Sequence, residues 1–223
     1  MTHIVICGYP RSGSTLLYNM LRATVLGYLF FDREVPALKA LGASPRITKN
    51  PNDVFEAVEI ARRAGARFIV TLRDPRAVLV SRHAHGGGGY KINWDFGLKT
   101  AHRRGVVGTN QGLIERHRAL AQVPDPVRVK YEDLVSDPGG TQERLQGAFG
   151  FRYAGRFADF HKADIPPLLG YQLNGVRPPE TSRIASWRRH PERIRAQFMA
   201  CTKLFDLLIE HGYEEDRKWF DDL

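Results

Sequence analysis

Apolar positions along this chain follow two rhythms in turn. Residues 3–7 form a short apolar run that Gly8 ends, and from Ser14 onward Leu16, Leu17, Met20 and Leu21 recur at helical spacing. That pattern predicts a strand, a tight loop and a helix. Residues 28–31 read as a second strand, followed by a short helix over 35–41 and an extended piece over 46–48. Asn50 is a helix cap and Pro51 a good first helical residue; Val54, Phe55, Val58 and Ala61 then line one face until Gly65. Residues 68–72 form a buried strand. Asp74 and Pro75, again cap and first turn, open a helix through Val78 and Leu79 and on to the glycine run 86–89, read as a mobile loop. Helical patterns return over 94–104 and 113–121, and 127–131 supplies another strand. Ile194, Phe198, Cys201, Phe205 and Leu208 mark one face of a long helix over about 190–212, closed near Gly212.

Short strands separated by helices predict an α/β fold, a mainly parallel sheet covered by helices on both faces. Ligands of such sheets bind beyond the carboxyl ends of the strands, so the chemistry belongs on strand-to-helix loops. A length of 223 residues with 43% hydrophobic content suits one packed domain over 1–223 and argues against disorder. The longest near-continuous apolar stretch, 23–31, is interrupted by Gly27 and Tyr28 and falls short of the ~20 residues that cross a bilayer, so no membrane partner is expected. The apolar run from Ile4 meets Gly8 too soon for a secretory signal, which makes a cytoplasmic location the expectation. Cys7 and Cys201 lie far apart without metal-ligand spacing, so neither a disulfide scaffold nor a metal centre is expected.

Charge adds to this picture. There are 33 Lys+Arg against 24 Asp+Glu, a formal net charge of +9, and the excess is mostly arginine, whose planar fork grips phosphate-like anions in a bidentate way. Nucleic acid would account for the same excess, but the arginines are scattered rather than grouped in an arm or recognition motif, so no nucleic-acid partner is expected.

Gly8-Tyr-Pro-Arg-Ser-Gly13-Ser14-Thr15 follows a strand, opens a helix and has the glycine spacing of a nucleotide-triphosphate loop. Backbone N–H groups in such a turn face a phosphate, and the N-terminus of the helix adds positive potential. The triphosphate loop places Lys just before its Ser/Thr to reach the outer phosphates; here that position is Ser14. The cation available within the loop is Arg11, suited to one terminal phosphate or sulfate. Glycine spacing by itself also fits a simple tight turn, and Ser14 and Thr15 also fit helix caps.

Tyr9-Pro-Arg-Ser-Gly-Ser-Thr-Leu-Leu17 resembles the 5′-phosphosulfate loop of sulfotransferases that use 3′-phosphoadenosine 5′-phosphosulfate (PAPS). Leu72-Arg-Asp-Pro-Arg-Ala-Val-Leu-Val-Ser81 is similar to that family's 3′-phosphate segment, in which an Arg at a strand end and a Ser on the next helix hold the phosphate. Thr48-Lys-Asn-Pro51 looks like its segment ending in a catalytic lysine, Val129-Lys-Tyr-Glu-Asp-Leu134 like its strand near the adenine, and the stretch from Ser182 to Arg189 like its late Arg and Trp loop. That late loop lacks the family's Arg-Lys-Gly triplet. In motif style the chain is nearest to carbohydrate, tyrosylprotein and bacterial members.

The resemblance implies a P-loop-type sheet and transfer of a sulfuryl group from PAPS to a hydroxyl or amine, leaving 3′-phosphoadenosine 5′-phosphate (PAP). It implies PAPS contacts from Pro10, Arg11, Ser12, Gly13, Ser14, Thr15, Arg73, Ser81, Tyr131, Arg183, Trp187 and Arg188, with Lys49 and Arg11 stabilising the departing phosphate. Some members use a histidine shortly after the lysine; here that neighbour is Asn50. Others use a Glu some twenty residues beyond the loop, and Glu34 stands 23 residues after Arg11, with Asp32 in reserve. Glu34 also fits a surface charge at a helix N-terminus, Arg73 an ion pair with Asp74, Ser81 helix packing and Trp187 a core anchor. His83, His85 and His102 are lesser candidates for the base. The acceptor, a small molecule, carbohydrate or peptide, would be met by variable loops around Glu34, 86–94 and 165–176. Two other readings share the loop: a small-molecule P-loop kinase, which Ser14 opposes, and a non-catalytic nucleotide or nucleic-acid binding module, which has no use for Lys49 or Glu34.

Overall fold

The elements run β1 (His3–Gly8), α1 (Ser14–Thr24), β2 (Arg46–Lys49), α2 (Ala57–Ala64), β3 (Arg67–Leu72), α3 (Pro75–Leu79), β4 (Leu98–Ala101), β5 (Val107–Asn110), α4 (Leu113–Leu120), β6 (Val127–Lys130), α5 (Tyr131–Ser136), α6 (Pro138–Phe149), α7 (Pro167–Gln172), α8 (Pro191–Ala200) and α9 (Lys203–Glu210). This computed structural model describes residues 2–82, 90, 92–94, 98–101, 107–110 and 112–223. The chain folds into two compact units interleaved in sequence: Met1–Arg73 with Gln122–Thr181, and Asp74–Ala121 with Ser182–Leu223.

The first unit holds a four-stranded sheet in the order β2-β1-β3-β6. Every pairing is parallel, with Ile6 opposite Lys49, Gly8 opposite Thr71 and Leu72 opposite Lys130. All residues of β1 and β2 are buried, as expected of strands covered on both faces. Ile4, Ile6, Leu17, Met20, Ile69 and Phe157 belong to one apolar core between the sheet and its flanking helices. The expected α/β architecture is thus present. Because the strands are parallel, the phosphate-type loop, Lys49, Arg73 and Tyr131 all emerge from the carboxyl edge of the sheet. With β2 and β3 on opposite sides of β1, the loop after β1 lies where the chain's path changes side.

The second unit packs α3, α4, α8 and α9 with an aromatic cluster. The Phe198 and Phe205 rings meet at 4.9 Å and Phe198 meets Trp219 at 5.1 Å. The Arg76 guanidinium lies over Trp187 at 3.9 Å and over Trp219 at 4.5 Å, and it pairs with Asp74 at 2.8 Å. β4 and β5 pair antiparallel.

Several expected elements differ. Residues 28–31 form no strand; Leu29 makes a single parallel bridge to Arg46, and the phenol of Tyr18 instead takes both backbone groups of Phe31. The helix over 35–41 shrinks to a 3₁₀ turn, Ala37–Lys39, and the helix capped by Asn50 begins as 3₁₀ over Pro51–Glu56 before α2. α3 ends at Leu79, so Ser81 lies past the helix rather than on it; the Leu79 carbonyl accepts from Arg193. Within the expected helix over 94–104, Leu98–Ala101 is a strand because it pairs with Val107–Asn110. Tyr131 opens α5 instead of closing β6. The C-terminal helix over about 190–212 is broken at Cys201, which is extended (φ −148°, ψ 97°). In one straight helix Phe198 and Phe205 would stand about 10 Å apart along the axis; the break lets their rings touch. The glycine run 86–89 and His83, His85 and His102 lie outside the described residues.

Among the described residues no helix is long and apolar enough to cross a membrane, and no group of three His, Cys, Asp or Glu side chains is placed to hold a metal ion.

Candidate active site at the carboxyl edge

The loop after β1 is curled by three residues of positive φ: Gly8 at 131°, Arg11 at 64° and Gly13 at 83°. A Cβ on Gly8 would stand 2.3 Å from the Thr71 carbonyl oxygen, so only glycine lets β1 leave the sheet this close to β3. Tyr9 N–H donates to that carbonyl at 3.2 Å. Ser12 is buried, with its hydroxyl donating to the Tyr9 carbonyl at 2.6 Å and sharing a 2.6 Å hydrogen bond with Thr71 Oγ1. Its side chain therefore staples the curl, and an anion would meet Ser12 through its backbone. Arg11 holds a left-handed conformation that costs a non-glycine residue roughly 1–3 kcal/mol, of the kind that collects at ligand clamps. Gly13 precedes α1 without a side-chain cap, which leaves the first-turn amides at Ser14 and Thr15 to whatever the loop encloses.

Lys49, the last residue of β2, is 2% exposed. Its ammonium donates to Thr15 Oγ1 at 2.8 Å and to Glu34 Oε1. Burial pulls the Lys49 pKa below its ordinary 10.5; the charge and hydrogen bond of Glu34 oppose that shift, and the Arg11 charge adds to it. The cation, the loop hydroxyl and the carboxylate thus converge on one nitrogen. Glu34, not Asp32, is the carboxylate at this point: Asp32 pairs with Arg22 at 2.8 Å and is mostly exposed.

A second cation closes the other side of the loop. Arg73, following β3, is buried, donates to the Arg11 carbonyl at 3.1 Å and lies over the Tyr131 ring at 4.2 Å. The same ring backs Gly13, where a Cβ would stand 2.7 Å from Tyr131 Cδ2. Tyr131 therefore ties the loop to Arg73, a link that sequence spacing did not reveal.

A model of the sulfotransferase family matches residues 38–155, more than half of the chain. This protein belongs to the sulfotransferase family. The matched stretch contains Lys49, Arg73, Ser81 and Tyr131 and begins after the first loop and Glu34. No curated protein matches the chain. Among solved structures it is similar to the sulfotransferase domain from the Synechococcus PCC 7002 olefin synthase, at 16% identity over 84% of this chain and 87% of that one, with a TM-score of 0.53. It is likewise similar to the sulfotransferase domain from the curacin biosynthetic pathway, at 16% identity over 83% and 89%, with a TM-score of 0.55. At these identities the likeness speaks for the fold.

Four expected contacts of this sulfotransferase fall in its second unit: Ser81, Arg183, Trp187 and Arg188. Trp187 is buried against Arg76 and edge-on to Trp219 at 5.8 Å, the surroundings of a core anchor. Arg183 closes the 3₁₀ turn Thr181–Arg183 and is exposed, as is Arg188, which lies over Trp187 at 4.8 Å.

Two residues near the site escaped the sequence reading. Tyr18 lies within α1 and Asp53 within the 3₁₀ turn that follows β2, and the sequence pattern singled out neither. Asp53 is 2% exposed and accepts from Ala37 N–H at 3.1 Å. Burial raises its pKa from 3.8 to about 7; the Ala37 hydrogen bond works against this, and Glu56 and Glu34 add to it. The available cue was its place four residues after Lys49 and two after Pro51, but nothing in the pattern paired it with Ala37.

Proposed function

We propose that this sulfotransferase moves the sulfuryl group of PAPS to a hydroxyl, or an amine, of a small-molecule, carbohydrate or peptide acceptor by in-line displacement, with Glu34 as general base. The observation that carries the reading is the convergence of the Thr15 hydroxyl and the Glu34 carboxylate on the buried Lys49 ammonium. The curled loop from Pro10 to Thr15 suits the 5′ end of the donor, through backbone amides, the Ser14 and Thr15 hydroxyls and Arg11. Arg73 suits its 3′-phosphate, and Tyr131 holds that guanidinium in place.

PAPS supplies an activated sulfuryl group whose transfer needs positioning and fixed charge more than covalent help. Glu34 takes the proton of the acceptor; the new bond to sulfur forms as the bond to the bridging phosphate oxygen breaks, and its electron pair leaves with PAP. Lys49 meets the negative charge that gathers on that oxygen. Being buried, it does so where charges act more strongly than in water.

Calorimetry with PAP against ATP plus magnesium, together with transfer of labelled sulfate from PAPS across a panel of acceptors, tests the proposal. PAP binding, labelled product and its loss in Glu34→Gln support it. ATP binding in preference to PAP would favour a kinase, and PAP binding without transfer would favour a binding module.

A further inference from the structure

Glu34 lies in a segment without regular structure, yet its carboxylate meets the lysine of β2. Something outside that segment must hold it there, because an untethered stretch would lose the contact to backbone entropy. Three residues before Glu34, Phe31 is clasped twice by the phenol of Tyr18, which donates to the Phe31 carbonyl at 2.9 Å and accepts from its N–H at 2.6 Å. Three residues after it, Ala37 N–H is held by the buried carboxylate of Asp53 at 3.1 Å. The anchors stand close in sequence to the partners of Glu34. Tyr18 is one turn along α1 from Thr15, and Asp53, in the 3₁₀ turn Pro51–Glu56, comes four residues after Lys49, the last residue of β2. Further along, Arg46 of β2 donates to the Ala40 carbonyl at 2.8 Å.

We propose that Tyr18 and Asp53 are positioning residues that fix the Glu34 carboxylate against Lys49 from either side. The proposal rests on Glu34 being the base, but the geometry it claims can be read without any substrate. Tyr18 is suited to the task because burial pushes its pKa up to about 12, so the phenol keeps the proton it donates to Phe31. Asp53 is suited because a side-chain oxygen satisfies a buried N–H that no helix or strand serves.

The test follows the Lys49 Cε resonance against pH in protein carrying 13C-labelled lysine. The groups bearing on that ammonium are Glu34 from the segment, Arg11 from the loop and the Thr15 hydroxyl from α1. Glu34→Gln removes the charge that favours the ammonium and moves the Lys49 midpoint down. Tyr18→Phe and Asp53→Ala are expected to move it the same way, whereas Asp53→Asn, which loses the charge and keeps the acceptor, leaves it at the parent's position. A parental midpoint in Tyr18→Phe, or equal displacement in Asp53→Ala and Asp53→Asn, overturns the proposal for that residue. Tyr18→Phe loses one hydroxyl and Asp53→Asn keeps its shape, so each anchor has a variant that preserves the packing. In PAPS turnover with water as acceptor, Tyr18→Phe and Asp53→Ala should lower kcat roughly 10²-fold, the scale of a small misplacement of a reacting group, with KM for PAPS within about twofold. Parental turnover in Glu34→Gln would refute the base while the Lys49 titration still decides the anchors.

Discussion

Asp53 makes a prediction whose sign is unusual for a carboxylate. In the unfolded chain it ionises near 3.8, whereas burial lifts it to about 7 in the folded protein. Between those values the native state carries a proton that the unfolded state has lost, so stability falls as pH rises through the window and levels off above about 7. Each pKa unit corresponds to 1.36 kcal/mol, and the full displacement of about 3 units therefore costs about 4 kcal/mol on the alkaline side. Asn cannot ionise and still offers an oxygen to Ala37 N–H. Urea denaturation of the parent and of Asp53→Asn at about pH 5 and about pH 8 should show the difference in unfolding free energy shifting toward the variant by about 2.5 kcal/mol, the part of the titration between those two points. Parallel profiles would refute the reasoning, since they would mean that Asp53 binds no more protons folded than unfolded.

His3 works in the opposite direction. Burial, with the Arg46 charge, lowers its pKa from 6.5 to about 4, so the unfolded state binds the extra proton and stability falls as pH drops through that window; His3→Gln should flatten the acid limb of the same denaturation series. Lys49→Ala should reduce PAPS turnover by roughly 10²- to 10³-fold, the cost of losing one fixed donor at a developing negative charge, and a loss below tenfold in a rapid-quench assay would remove Lys49 from the chemistry. Tyr131→Leu takes away the ring that carries Arg73 and backs Gly13; calorimetry should find PAP binding weakened by roughly tenfold, in line with about 1–2 kcal/mol for a desolvated cation–π contact.

What was legible in the sequence was local. Gly8 and Gly13 between an apolar run and a helical pattern disclosed the loop, and Asn50-Pro51 and Asp74-Pro75 disclosed the helix starts, because each feature depends on neighbours a few residues apart. Asn50 and Asp74 do cap as expected, accepting from Asn52 N–H and Arg76 N–H. The misreadings came where distant partners decided the outcome. Residues 28–31 carry strand-like side chains, but Tyr18 satisfies the Phe31 backbone that a strand would have paired. The periodicity over 190–212 was correctly apolar, yet contacts of Phe198 and Phe205 with Trp219 won over helix continuity.

The site shows the same division and adds a physical reason for it. A triphosphate loop carries its lysine next to the Ser/Thr, so loop and cation are one local motif. Here Ser14 holds that place and the cation arrives from β2, parallel to β1 and in register with Ile6 opposite Lys49. Sheet register therefore sets the distance from ammonium to loop. A lysine reaching in from the side meets Thr15 with one hydrogen bond and has others free in direction, since its ammonium carries three donors. Glu34 takes one of them. That shared nitrogen links the proposed base to the proposed partner of the departing charge, an arrangement a lysine inside the loop would have to build differently. The resemblance of the loop located the first partner and the family's lysine segment the second. The resemblance also named the third, Glu34, by its distance from the loop, but its place beside Lys49 comes from the fold, in a segment bridged to β2 at Leu29 and Arg46 and, in the reading proposed above, fixed by Tyr18 and Asp53.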